Sequence, residues 1–284
     1  MLQELDQILI KSPAGGQEML TDIRFDDDGM RKPVILFVHG FKGFKDWGCW
    51  NLMADFWAQQ GFVVVKANLS HNGTTPEDPQ EFGDLEAFGN NNFSTELDDI
   101  GAIIDYLYSA SCEIPREEMD LGRLFLVGHS RGGGLVLLKG AEDSRVKGIA
   151  TLAAVADFIT WAKNLMKPWK ADETNYVVNG RTGQQMPVYY QLVEDVVEHE
   201  TRLNIQAAVE KTALPLIIFH GSEDPAVPVF AAHQLKEWAP DAELHIIEGA
   251  DHVFGGSHPY TSDLLPEAAR EVAEGVAHFF HGVV

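Results

Sequence analysis

Apolar residues recur along this chain in two rhythms, and their alternation sets the architecture to expect. Residues 34–38 (Val-Ile-Leu-Phe-Val), 62–65 (Phe-Val-Val-Val) and 124–127 (Leu-Phe-Leu-Val) are unbroken apolar runs, the pattern of strands buried on both faces. Residues 146–154, 214–219 and 244–247 supply three more strands. The segment 50–60 reads as a helix between the first two. Residues 94–108 read as another, because Leu97, Ile100, Ile103, Ile104 and Leu107 fall at three-to-four spacing behind Ser94 or Thr95 as cap. The apolar stretch 135–138 predicts a helix after the third run, and residues 266–281 predict a last one. At the start of the chain, alternating segments at 5–10 and 19–25 flank a Pro-Ala-Gly-Gly stretch, which predicts an antiparallel hairpin or meander. Strands alternating with helices at these distances imply right-handed crossovers and a mostly parallel sheet, an α/β fold.

The alternation stops between residues 158 and 211. Trp161, Trp169, Tyr176, Tyr189 and Tyr190 crowd into this stretch, and Asn179-Gly180 sits inside a hairpin-like segment. The expected division is a core of residues 1–157 and 212–284 with an insertion at 158–211. That insertion is either a lid over a site or a small subdomain with its own core.

Composition narrows the partners. The 43 acidic residues against 21 basic ones give a formal charge of -22, a surface that repels nucleic acid and anionic lipid. Cys49 and Cys112 are too few for a disulfide framework and lie outside metal-ligand spacing. The N-terminus has no signal-like apolar run and no segment reaches membrane-spanning length, so a cytoplasmic protein is expected. No metal or organic cofactor is called for.

Candidate chemistry centres on Gly128-His129-Ser130-Arg131-Gly132, a G-x-S-x-G pattern. Alone the pattern is weak. Here a buried strand precedes it and an apolar helical segment follows it, which is the context a strained strand-to-helix turn requires. A serine hydroxyl needs a base to take its proton, and the base needs an orienting acid. Among 11 histidines, His252 follows the last strand in a loop able to reach the sheet edge; His71 is its strongest rival. His129 adjoins the serine but points elsewhere, while His39 and His220 end strands and suit packing or turn roles. Asp224, after the 214–219 strand, is the candidate acid, with Glu223 and Asp157 as alternatives and a helix N-cap as its structural role. The order Ser130, Asp224, His252 is more specific than any one of the three.

These motifs resemble those of the α/β-hydrolase superfamily, from the 34–38 strand to the C-terminus apart from the insertion. His39-Gly40-Phe41 resembles its oxyanion loop, and the resemblance implies that the backbone N–H groups of Phe41 and Arg131 hold the oxyanion. Asn68 to Gly73 resembles the superfamily's Asp-x-x-Gly-His-Gly loop but departs from it, which leaves His71 open. Within the superfamily the chain looks most like bacterial serine esterases and acyl-peptidase-like hydrolases with a short lid. The expected reaction is hydrolysis of a small-molecule carboxylic ester through an acyl-serine, by a monomer or homodimer. A peptidase or amidase, a thioesterase, or a non-catalytic ligand-binding protein of the same fold are the alternatives. Phe41, Phe44, Trp161, Trp169 and Phe254 are candidates for an apolar pocket, or else core residues. Lys163, Lys167, Lys170 and Arg181 are candidates for attracting a carboxylate, or else solvated surface.

Overall fold

The computed structural model describes residues 1–166, 169 and 173–283, so Lys167 and Lys170 lie outside the described residues. The chain opens with β1 (Leu2–Lys11), β2 (Glu18–Asp26) and β3 (Lys32–Val38), then α1 (Trp50–Gln59) and β4 (Val63–Ala67). A short α2 (Leu85–Gly89) precedes α3 (Phe93–Tyr108), followed by β5 (Met119–His129), α4 (Arg131–Glu142) and β6 (Val146–Leu152). Next come α5 (Ile159–Met166), β7 (Asn175–Val178), β8 (Gln185–Val188), α6 (Gln191–Glu198) and α7 (Ile205–Lys211). The chain closes with β9 (Leu216–Gly221), α8 (Phe230–Trp238), β10 (Glu243–Ile247) and α9 (Glu267–Gly282).

Eight strands form one sheet in the order β1-β2-β4-β3-β5-β6-β9-β10. The β1–β2 and β2–β4 pairs are antiparallel, and every other pair is parallel. The unbroken apolar runs are explained by the pleat, which sends successive side chains to opposite faces. Val34, Leu36 and Val38 enter one core layer with Leu97, Ile100, Ile104 and Leu135. Ile35 and Phe37 enter the other, with Trp57 of α1 and Val276 and Phe280 of α9. Both faces are therefore dry, and the ends of the parallel strands are where function can sit.

One local expectation is corrected, and one helix proves longer than its apolar stretch. Helix α3 is capped by Asn92, whose side chain accepts the Thr95 N–H at 2.8 Å, rather than by Ser94 or Thr95. The 135–138 stretch is the middle of a longer helix, α4. Residues 158–211 hold α5, the antiparallel β7–β8 hairpin, α6 and α7. Leu192, Val193 and Val196 of α6 pack into the same core layer as β3 and α3.

Candidate active site

Four loops at the carboxyl ends of β3, β5, β9 and β10 converge. At the end of β5, Ser130 occupies φ 56°, ψ -118°, a left-handed conformation that costs a non-glycine residue about 1–3 kcal/mol. Its backbone is pinned there: the N–H donates to Leu152 O at 2.8 Å, and the C=O accepts from Gly133 N at 3.0 Å and Val155 N at 3.2 Å. The flanking glycines are dictated by space. A Cβ on Gly128 would lie 2.2 Å from Gly132 O, and one on Gly132 would lie 2.4 Å from Val38 O. Ser130 also caps α4, so the Arg131 N–H is among the first-turn donors that no helical carbonyl can satisfy.

Asp224 is the most tightly held group of the site. Its Oδ1 accepts the Ala226 and Val227 N–H groups at 2.8 and 2.9 Å, and its Oδ2 accepts His252 Nδ1 at 2.7 Å. His220 Nε2 lies 3.3 Å from the same Oδ2 and donates to Val227 O at 2.9 Å. Burial of the carboxyl would raise its pKa. The hydrogen bonds from His220, His252 and the Val227 N–H outweigh burial and hold it well below the usual carboxylate range. The acid is therefore ionised, and its contact with His252 Nδ1 places a proton on that nitrogen.

Ser130 and His252 line two cavities together. One, of about 430 Å³, is walled by Phe41, Phe93, Phe158 and Trp161. The other, of about 250 Å³, is walled by Trp47, Trp50 and Asn179. Ser130 Oγ has no hydrogen bond among the described residues, and a catalytic contact of this kind commonly tightens only when substrate is bound. A larger concavity of about 640 Å³ beside α9 includes neither residue.

The other candidate histidines have other partners. His129 Nε2 donates to the His252 carbonyl at 2.8 Å, its pKa pushed down to about 3 by burial and by the nearby His252. His39 Nδ1 donates to Gly40 O at 2.9 Å while its Nε2 accepts the Leu69 N–H at 3.2 Å; burial pushes it down to about 4. His71 pairs with Ser70 Oγ at 2.6 Å and lines neither cavity. Asp157 accepts the Ile159 and Thr160 N–H groups at the start of α5, and Glu223 is exposed.

The expected oxyanion loop runs against the serine, with a Cβ on Gly40 falling 2.9 Å from Ser130 Cβ. Phe41 lies under the Arg131 guanidinium, 4.0 Å from its ring centroid, and Phe93 lies 4.8 Å away on that group. Cation–π stacking thus ties together the two segments whose N–H groups were singled out. Of the aromatic pocket candidates, Phe41 and Trp161 line the 430 Å³ cavity. Phe44 and Phe254 are fully enclosed, one in each core layer, and line neither cavity. Trp169 is buried edge-on against Tyr190 and also lies off the cavities. Lys163 is paired with Glu200, and Arg181 with Glu81. Sequence reasoning missed His220 as a partner of Asp224, and missed Asn179 and Trp50 as cavity residues.

Among the described residues, no group of three His, Cys, Asp or Glu side chains is arranged to hold a metal, and no helix is long and apolar enough to cross a membrane.

Comparison with known proteins agrees with this architecture. The sequence model of the alpha/beta hydrolase family matches residues 35–262. A non-heme chloroperoxidase, CPO-A1 of Kitasatospora aureofaciens, is 23% identical over 86% of this chain and 94% of its own. The structure of Est1E from Butyrivibrio proteoclasticus with ferulic acid bound superposes with a TM-score of 0.75 at 19% identity, covering 97% of this chain and 98% of that one. A dienelactone hydrolase from Anabaena variabilis superposes with a TM-score of 0.64 at 15% identity, over 100% and 99%.

Proposed function

The chain belongs to the alpha/beta hydrolase family, and from that premise we propose that it is a serine hydrolase that cleaves carboxylic esters through an acyl-serine. Ser130 Oγ attacks the ester carbonyl carbon as its proton passes to His252 Nε2. The negative charge that develops on the carbonyl oxygen is met by the Phe41 and Arg131 N–H groups, each contributing about 3 kcal/mol to lowering the barrier. The tetrahedral species collapses, the carbon–alkoxy bond breaks, and the departing alkoxide takes the proton from His252. Water, deprotonated by the same imidazole, then releases the acid and restores the hydroxyl. Asp224 holds the imidazole tautomer and stabilises its charged form.

The observation that carries this reading is the joint exposure of Ser130 and His252 to the same two cavities, with His252 Nδ1 bound 2.7 Å from an ionised, buried Asp224. The aromatic walls of the larger cavity favour an apolar or aromatic acyl group. Est1E binds ferulic acid, so hydroxycinnamoyl esters join short-chain esters as substrates to try. In this reading residues 158–211 form a lid wall over the site, since Phe158 and Trp161 line one cavity and Asn179 and Arg181 the other. Two unpaired cysteines suit a reducing, cytoplasmic compartment.

The test is a panel of p-nitrophenyl esters, hydroxycinnamoyl esters, thioesters and aminoacyl anilides, run with the parent and with Ser130→Ala. Ester turnover that the substitution removes is expected. Ester turnover that survives it, or turnover of the anilides alone, contradicts the proposal.

A further inference from the structure

We infer that Lys42, in the turn that carries Phe41, is a specificity-determining residue that selects esters bearing a carboxylate within a few bonds of the scissile carbonyl. The inference rests on the esterase reading above and names the class of substrate that site takes.

The backbone at this residue is unusual. Gly43 N–H donates to Gly40 O at 3.1 Å and closes a four-residue turn with Phe41 and Lys42 at its centre. Lys42 has φ 57°, the left-handed region that the third position of such a turn normally gives to glycine or asparagine. Glycine occupies both ends of the turn, yet a lysine stands where glycine would cost least. Strain of this kind points to a task for the side chain that bears it.

That side chain lies beside the nucleophile. Lys42 lines both cavities that Ser130 and His252 share. It is half-buried, and its Nζ donates to Val178 O at 3.1 Å, which ties it to the end of β7 and uses one of three N–H donors. Among the described residues no carboxylate pairs with it, in contrast to Lys163 and Arg181.

Charge places the anion. The 250 Å³ cavity is lined by Lys42 and Arg181 and by no Asp or Glu, in a chain whose formal charge is -22. Arg181 is matched by Glu81, so the local excess of positive charge belongs to Lys42. In the 430 Å³ cavity Asp157 and Glu96 offset Lys42 and Arg131, which leaves the smaller cavity as the place for a carboxylate. Trp47 and Trp50 supply an apolar wall there for the carbons between that carboxylate and the reacting carbonyl. Because Lys42 and His252 line both cavities, either half of the ester can carry the charge.

The experiment uses the full chain and two ester pairs matched in shape. Monoethyl succinate against ethyl 4-methylpentanoate puts the carboxylate on the acyl half. Carboxymethyl butanoate against isobutyl butanoate puts it on the alcohol half. The parent is expected to favour the charged ester of at least one pair by kcat/KM. Lys42→Met is expected to lower that charged-to-neutral ratio about fivefold, the scale of an ion pair at a half-buried position. Loss of the bond to Val178 O affects both esters of a pair and cancels in the ratio. Lys42→Arg keeps the charge and is expected to keep the preference. Lys163→Met, which removes a charge paired with Glu200 away from both cavities, is expected to leave the ratio unchanged. Neutral esters favoured in both pairs, a Lys42→Met ratio equal to the parent's, or an equal fall in Lys163→Met overturns the inference. Binding of the intact esters to Ser130→Ala protein, read by saturation-transfer NMR with and without Lys42→Met, separates the two claims. Selective binding of a charged ester that Lys42→Met removes sustains the inference even where the parent turns over no ester, an outcome that would fell only the esterase reading. No turnover and no such binding overturns both.

Discussion

At the scale of single residues, the proposed acid is the most firmly held member of the candidate site. Asp224 accepts from two backbone N–H groups and from His252, so its carboxylate plane cannot turn without breaking several bonds. Asp224→Asn is expected to lower kcat by roughly 10³–10⁴ with little change in KM, because an amide donor facing Nδ1 forces the wrong imidazole tautomer. A fall of less than tenfold on a p-nitrophenyl ester would contradict that role. That Asp224 lies just past a buried strand was readable from sequence. The second imidazole against it was not, since His220 and Asp224 meet across a turn whose path has no periodicity. Phe44 and Phe254 show the same limit from the other side: a phenyl ring carries no polar atom to distinguish a cavity wall from a core, and both proved to be core.

At the scale of elements, the strand–serine–helix turn was legible because its glycines answer to hard-sphere contacts. A methyl on Gly132 would meet the Val38 and His39 carbonyl oxygens at 2.4 and 2.5 Å, both backbone atoms unable to give way cheaply. Gly132→Ala is expected to destabilise the fold by about 2–4 kcal/mol. Gly83→Ala, with open space around it, is expected to change stability by less than about 0.5 kcal/mol. Urea midpoints of the two variants check this, and equal midpoints would contradict the steric account. Helix α3 was found by its apolar spacing, but its start was misjudged by the choice of cap: Asn92, in extended backbone at φ -149°, reaches Thr95 N–H before Ser94 or Thr95 can serve. Strands β7 and β8 are too short for any period to register, so the insertion was visible as a break in rhythm and as a hairpin-like stretch at Asn179-Gly180, where the β7–β8 pair lies.

At the scale of the molecule, the sheet order was legible in outline because dry strands leave unbroken apolar runs. The meeting of loops from β3, β5, β9 and β10 was expected only through the order of the motifs and the family resemblance, because it depends on which strands become neighbours. That convergence buries titratable groups and makes stability depend on pH. His39 and His129 have pKa values near 4 and 3, against 6.5 when unburied, so the unfolded chain takes up protons that the folded chain refuses as pH falls below 6.5. Asp99 opposes them: burial raises it to about 6 from 3.8, so the folded chain gains a proton first and stability rises as pH falls through that range. The two imidazoles outweigh Asp99, and burial lowers His71 and His258 as well while it raises Glu96, so a lower stability is expected at pH 4.5 than at pH 7. A urea midpoint no lower at pH 4.5 than at pH 7 would contradict it. The central claim is that this convergence activates one hydroxyl, and covalent labelling by a fluorophosphonate, located by peptide mass spectrometry, tests it most directly. The account predicts a single adduct on Ser130 in the parent and slow or no labelling in His252→Ala. An unlabelled Ser130, or equal labelling in both proteins, would contradict it.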